Sequence, residues 1–152
     1  PRTRFDLIVN TMFKFAMTEG KITVNNPAIW RPILDVRDTS SAFLRAVQAD
    51  SSISGVFNVA YDNFTVGLIG DIVKDEVEAL TGRKIKIQVN DVQDFRNYKV
   101  TCEKARNHLG FRPRYGVAEM IASLHQHAED YGDFTNENYY NIQVFKKAES
   151  KG

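Results

Sequence analysis

The chain has 152 residues, 43% of them hydrophobic and 26% charged, with 20 Lys and Arg set against 19 Asp and Glu. That length makes about one domain with a core of its own, and the near-neutral balance excludes a generic nucleic-acid binder, which carries a basic excess or stripe. A single cysteine, Cys102, excludes an internal disulfide and fits a reducing compartment, and no apolar run nears the ~18 residues of a membrane helix.

The first residues, "PRTRFDLIVN", carry no signal-peptide pattern and open almost at once on a helical run, which reads as a chain that begins mid-fold. Apolar positions 5, 8, 9, 12, 13 and 16 have helical spacing, with Gly20 as the stop. "KITVN" at 21–25 alternates as a short strand, and a turn with two Asn and a Pro follows. "PILDV" reads as a strand end, with Pro32 at its first position or on a sheet edge. Asp38 or Thr39 is expected to cap the next helix, which should bury Phe43, Ala46 and Val47. "GVFNVAY", 55–61, reads as a β-branched and aromatic strand. The following helix runs from a Thr65 cap to a Gly82 stop; Ile69, Ile72, Val73, Val77 and Leu80 form its stripe, and Gly67 and Gly70 weaken its first turns. "KIKIQV", 84–89, alternates as a half-exposed strand. After the polar loop "NDVQDFRNYKVT" come a short helix ended by Gly110, the connector "GFRPR" and an amphipathic helix in "GVAEMIASLHQHAEDYG". Residues 132–152 read as a polar tail on a unit spanning 1–131. Short strands alternating with amphipathic helices make the class α/β.

Polar groups gather in the loops, where α/β folds carry their ligand sites. Arg31 stands just before a strand, Asp91, Asp94, Arg96 and Tyr98 share one loop, and Asn10 sits mid-helix among apolar neighbours. A diphosphate calls for guanidinium groups that bond in pairs, and a ribose for carboxylate or amide acceptors. By residue type alone the plainer reading wins: surface or salt-bridging arginines and a helix-packing amide. His125 and His127 point about 200° apart on one helix and cannot easily share an ion, so no metal site is expected. Cys102 has no partner base and reads as a packed or surface thiol.

The order of the segments adds to this. "WRP" followed by an apolar pair and "DVRD", then "GVFNVAY", "TGRKIKI", "DFRNYKV" and "KARNHLGFRP", resembles the C-terminal portion of the NAD-dependent nucleotide-sugar epimerases and dehydratases, the extended short-chain dehydrogenases, over residues 1–125. The resemblance implies a Rossmann-like isomerase or dehydratase of the cytoplasm that handles a nucleoside-diphosphate sugar. It implies substrate contacts at Asn10 and Asn25, a diphosphate arginine at Arg31, and a segment with Asp94 and Tyr98 that closes over the ribose and phosphates. The family histidine is replaced by Asp35, and the family's downstream phosphate arginine would fall near Asp91, with Arg96 as a neighbouring substitute.

The glycine-rich NAD-binding half is absent from this sequence. "GLIG" at 67–70 lacks a third glycine and lies in a helix, and each of the six tyrosines lacks a lysine four residues on. NAD is thus implied for the complete family enzyme, while this chain alone is expected to bind none and to supply no catalytic residue. Three readings stay open: a fragment that holds substrate for a missing NAD-binding half, a non-catalytic binding module on the same fold, and one chain of a two-chain enzyme. On the first, the stripe Ile69, Ile72, Val73, Val77 and Leu80 and the face Phe5, Ile8, Val9, Met12 and Phe13 are candidates to pack on the missing half, and part of this surface is expected to lie bare and to drive self-association.

Overall fold

The computed structural model describes residues 3–92 and 96–150. Its first helix, α1 (Ile8–Glu19), follows the apolar spacing and stops at Gly20, whose φ of 63° lies in the left-handed region that glycine enters without a steric penalty. β1 (Lys21–Asn25) runs parallel to β4 (Lys86–Asn90), with Ile22 opposite Ile87 and Val24 opposite Val89. β2 (Trp30–Ile33) pairs antiparallel with β3 (Asp62–Thr65), with Arg31 opposite Phe64. Pro32 is tolerated inside β2 because a two-stranded sheet has only edges.

α3 (Val66–Thr81) begins at Thr65, whose hydroxyl accepts from the Leu68 N–H, and it ends at Gly82. It lies between α1, β1 and α5 (Val117–Gln126). Ile69, Val73 and Val77 from α3 meet Val9, Met12 and Phe13 from α1, Ile22 and Val24 from β1, and Val117 and Ile121 from α5. All ten are at most 4% exposed, and each contributes roughly 1.5–3 kcal/mol by leaving water. The two candidate faces are therefore packed largely against each other, with Ile8 and Ile72 partly buried and Leu80 exposed at the rim.

Gly70 is where α3 and β1 meet most closely. A Cβ there would come 2.6 Å from Val24 Cγ2, a stiff branched side chain on a buried strand. Gly70→Ala would gain about 1 kcal/mol of helix propensity and lose roughly 1–3 to overpacking. The expected net result is a modest destabilisation of about 1 kcal/mol, read by urea unfolding; a more stable variant would show that the contact relaxes freely.

Three local expectations are overturned. α2 (Val36–Gln48) is capped by Asp35, whose carboxylate accepts from the Arg37 N–H; neither Asp38 nor Thr39 takes that place. Its apolar side is not buried, since Phe43 is 70% and Val47 84% exposed. Segment 55–61 forms no ladder among the described residues. Instead Lys104, in α4 (Glu103–Leu109), donates to the Val56 carbonyl at 3.1 Å, and the Tyr61 N–H donates to Ile33 at 2.7 Å. Among the described residues no strand runs alongside this segment to form a ladder with it.

Beyond α6 (Ala128–Tyr131) the chain folds back on α1 before ending in α7 (Asn141–Glu149). Phe134 and Tyr139 stand edge-on to the Phe5 ring at 4.9 and 5.3 Å, and the Phe5 N–H donates to the Tyr139 carbonyl. Aromatic residues at 131, 134 and 139 thus close one end of the core.

Candidate functional site

The mouth of β2 opens on a cavity of about 470 Å³ between the start of α1, the end of β1 and the loop after β4. Asn25, Arg31 and Arg96 line it together, with the hydroxyl-bearing Thr11 and Thr23 and an apolar wall of Leu7, Ile8 and Ile29. β1 and β2 hold Asn25 and Arg31 through their ladders, so two polar side chains start from fixed backbone.

Arg31 donates from one terminal nitrogen to the Trp30 carbonyl at 2.9 Å and to the main-chain carbonyl of Arg96. Its guanidinium carbon stands 5.8 Å from the centre of the Tyr98 ring, within range of a cation–π contact. One residue earlier, Lys99 Nζ lies 3.5 Å from the centre of the Trp30 ring. Cations and rings thus interleave where the loop crosses β2. Asp6 also lines the cavity, and Arg4 answers its charge through hydrogen bonds of 2.9 and 3.2 Å.

The sequence-predicted residues divide into three groups. Asn25, Arg31 and Arg96 meet at one cavity, and Tyr98 flanks Arg31 with its ring 53% exposed. Asn10 faces elsewhere: its amide donates to the Arg4 carbonyl at 2.8 Å, and it lines a second cavity, of about 420 Å³, with Asp35, Thr39 and Tyr131. Asp94 lies outside the described residues. Sequence reasoning passed over Thr11, Thr23 and Asp6, whose residue types carry no signal by themselves.

Asp35 accepts from Arg37 through both carboxylate oxygens, at 2.8 and 2.9 Å. Arg37 in turn lies 3.7 Å above the Tyr115 ring. Burial alone would raise the Asp35 pKa, but the Arg37 side chain and N–H outweigh it and hold it below the ordinary value. Hydrogen bonds from Arg4 likewise lower that of Asp6 against a smaller effect of burial. Groups depressed on folding stabilise the protein above their unfolded pKa, near 4, and lose that contribution as pH falls through the folded value. Urea midpoints should therefore drop below about pH 4, and Asp35→Asn should flatten the drop; an unchanged profile would show that the Asp35 pair contributes nothing.

Among the described residues no group of three His, Cys, Asp or Glu side chains is placed to hold a metal ion, and no helix is long and apolar enough to cross a membrane. The glycine pair that the sequence singles out does not form a pyrophosphate turn. The glycine pair 67 and 70 lies within α3, where a Cβ on Gly67 would meet Pro27 at 3.1 Å and Gly70 packs on Val24, so neither glycine opens a turn toward a ligand.

No family model and no curated protein matches this sequence. Solved structures do. A dTDP-glucose 4,6-dehydratase from Bacillus anthracis, in complex with NAD, is 19% identical, with a TM-score of 0.66 over 92% of this chain and 43% of its own. A UDP-glucuronic acid 4-epimerase from Bacillus cereus, also with NAD, is 17% identical, with a TM-score of 0.66 over 89% of this chain and 42% of its own. An L-threonine dehydrogenase from Cupriavidus necator is 20% identical, with a TM-score of 0.59 over 77% and 40%.

The fold is that of a portion of the NAD-dependent nucleotide-sugar epimerases and dehydratases, in agreement with the C-terminal resemblance in the sequence. The chain spans about two fifths of the length of the structures it matches.

Proposed function

We propose that this chain is the substrate-holding portion of a nucleotide-sugar epimerase or dehydratase of the cytoplasm, and that Arg31 and Arg96 grip the diphosphate of its substrate. The observation that carries this reading is the meeting of Asn25, Arg31 and Arg96 around one cavity beside hydroxyls and an apolar wall. Two guanidiniums suit a diphosphate, which presents several acceptor oxygens and more than one negative charge. A small amino acid, the substrate class of the threonine enzyme, offers a single carboxylate and leaves the second arginine without a role. On this reading Asn25 is the amide acceptor for the sugar or ribose, and Tyr98 stands beside Arg31 at the edge of the diphosphate site.

Hydride transfer on NAD belongs, on this reading, to the portion of the matched structures that lies outside the match. That portion also covers α2. Phe43, Leu44 and Val47 face solvent, segment 55–61 forms no ladder among the described residues, and about three fifths of each structure reported above lies outside the match. Phe43→Ser with Val47→Ser should leave stability within about 0.5 kcal/mol of the parent, since both side chains are already in water. It should also remove whatever self-association sedimentation detects in the parent. A large loss of stability, or association that survives the change, would contradict this assignment.

The function is tested by calorimetric titration of the chain. UDP should bind at about millimolar Kd, or −4 kcal/mol, uridine more weakly, and NAD not measurably. Equal binding of uridine and UDP would remove the diphosphate from the reading, and tight NAD binding would overturn the division of labour.

A further inference from the structure

We infer that two asparagines, Asn26 and Asn63, are positioning residues that clamp the loop carrying Arg96 over the cavity; this rests on the diphosphate reading above. Over its described residues the loop from 91 to 102 has no helix or strand to satisfy its backbone. Side-chain amides do so instead. Asn63, in β3, donates to the Val100 carbonyl and accepts from the Val100 N–H, both at 2.9 Å. Asn26 accepts from the Val92 N–H at 2.9 Å and donates to the Val92 carbonyl.

Each amide thus pairs with donor and acceptor of one loop residue, as a neighbouring strand would. The two clamps fall on either side of Arg96, and both spring from the frame that holds Arg31. Asn26 occupies the turn between β1 and β2 with φ of 52°, a conformation that asparagine adopts more readily than most residues. Asn63 faces Pro32 across the β2–β3 ladder. Midway, the Trp30 N–H donates to Asn97 Oδ1 at 2.9 Å, and Arg31 holds the Arg96 carbonyl. Arg96 is therefore presented from a loop whose described residues Val92, Arg96, Asn97 and Val100 are fastened to the strands and turn beneath it. A ligand that uses Arg96 need not order the loop itself.

The inference separates position from packing. Without Asn63 the loop loses one clamp while the core beneath is untouched, so what suffers is the Arg96 contact. The test is a double-mutant cycle on the full chain with UDP as probe, affinity being read from the slope of chemical-shift change at low UDP. Asn63→Ala should weaken UDP about fivefold, and adding it to Arg96→Ala should cost no more than Arg96→Ala alone. Asn26→Ala should behave in the same way, and it carries the test if Asn63→Ala does not fold. Parent-like UDP binding in both asparagine variants, or losses that simply add to that of Arg96→Ala, would overturn the inference while leaving the function standing. UDP binding that is absent, or indifferent to Arg31→Ala, would overturn the functional reading and the inference with it.

Discussion

Asp38→Ala is expected to lower stability by about 3 kcal/mol, more than any other single polar change considered. Asp38 is 1% exposed, and one carboxylate oxygen accepts from the N–H groups of Arg114 and Tyr115, both at 2.9 Å. These bonds tie α2 to the segment that leads into α5, and α2 has few other ties because its apolar side faces water. Hydrogen bonds to a charged group are worth roughly 1.5–3 kcal/mol each, and alanine would leave both N–H groups without a partner. In a chain of this length the loss corresponds to a fall of roughly 6–12 °C in Tm. Asp38→Asn keeps one acceptor and should lose about half as much. A urea midpoint for Asp38→Ala within about 1 kcal/mol of the parent would show that water replaces the carboxylate without penalty.

Arg31→Ala carries the second large effect. On the proposed function it removes a charge-assisted phosphate contact, worth roughly 1.5–3 kcal/mol, or about 10- to 150-fold in affinity. It also releases the Arg96 carbonyl, so the loss should lie toward the upper end. From a millimolar start, UDP binding should disappear from a calorimetric titration. Arg31→Lys keeps the charge and loses the paired donors, and it should recover only a small part. UDP affinity in Arg31→Ala within threefold of the parent would make Arg31 a structural residue of β2.

Much of the frame was legible because periodicity and stops act locally. The spacing that ends at Gly20, the Thr65 cap and Gly82 stop, and the alternation that became β1 and β4 all depend on neighbours in sequence. What covers an apolar face is not local. The same patterning buries Ile69, Val73 and Val77 but leaves Phe43 and Val47 in solvent, because none of the described residues covers that side of α2. "GVFNVAY" has the composition of a strand, but a ladder needs a partner, and sequence pattern says nothing about where that partner lies. Asp38 and Thr39 were the caps that residue type suggested; the Arg114–Tyr115 backbone claims Asp38, and the cap falls to Asp35, which the sequence reading passed over.

At the site, Arg31 and Arg96 stood out through charge in an apolar or loop setting and through the order of the motifs around them. Asn26 and Asn63 did not, because an amide that imitates a strand has no period and no preferred spacing. Asn10 drew notice as a polar group on an apolar helix, yet its amide serves the Arg4 carbonyl and the neighbouring cavity.

The most direct test of the central claim is a map of backbone amide shifts in the chain as UDP-glucose is added to several millimolar. The account predicts changes centred on Thr23, Asn25, Arg31, Arg96 and Tyr98, and their disappearance in Arg31→Ala. Changes centred on the Asp35 and Thr39 cavity, changes that persist unaltered in Arg31→Ala, or no changes at all would contradict it.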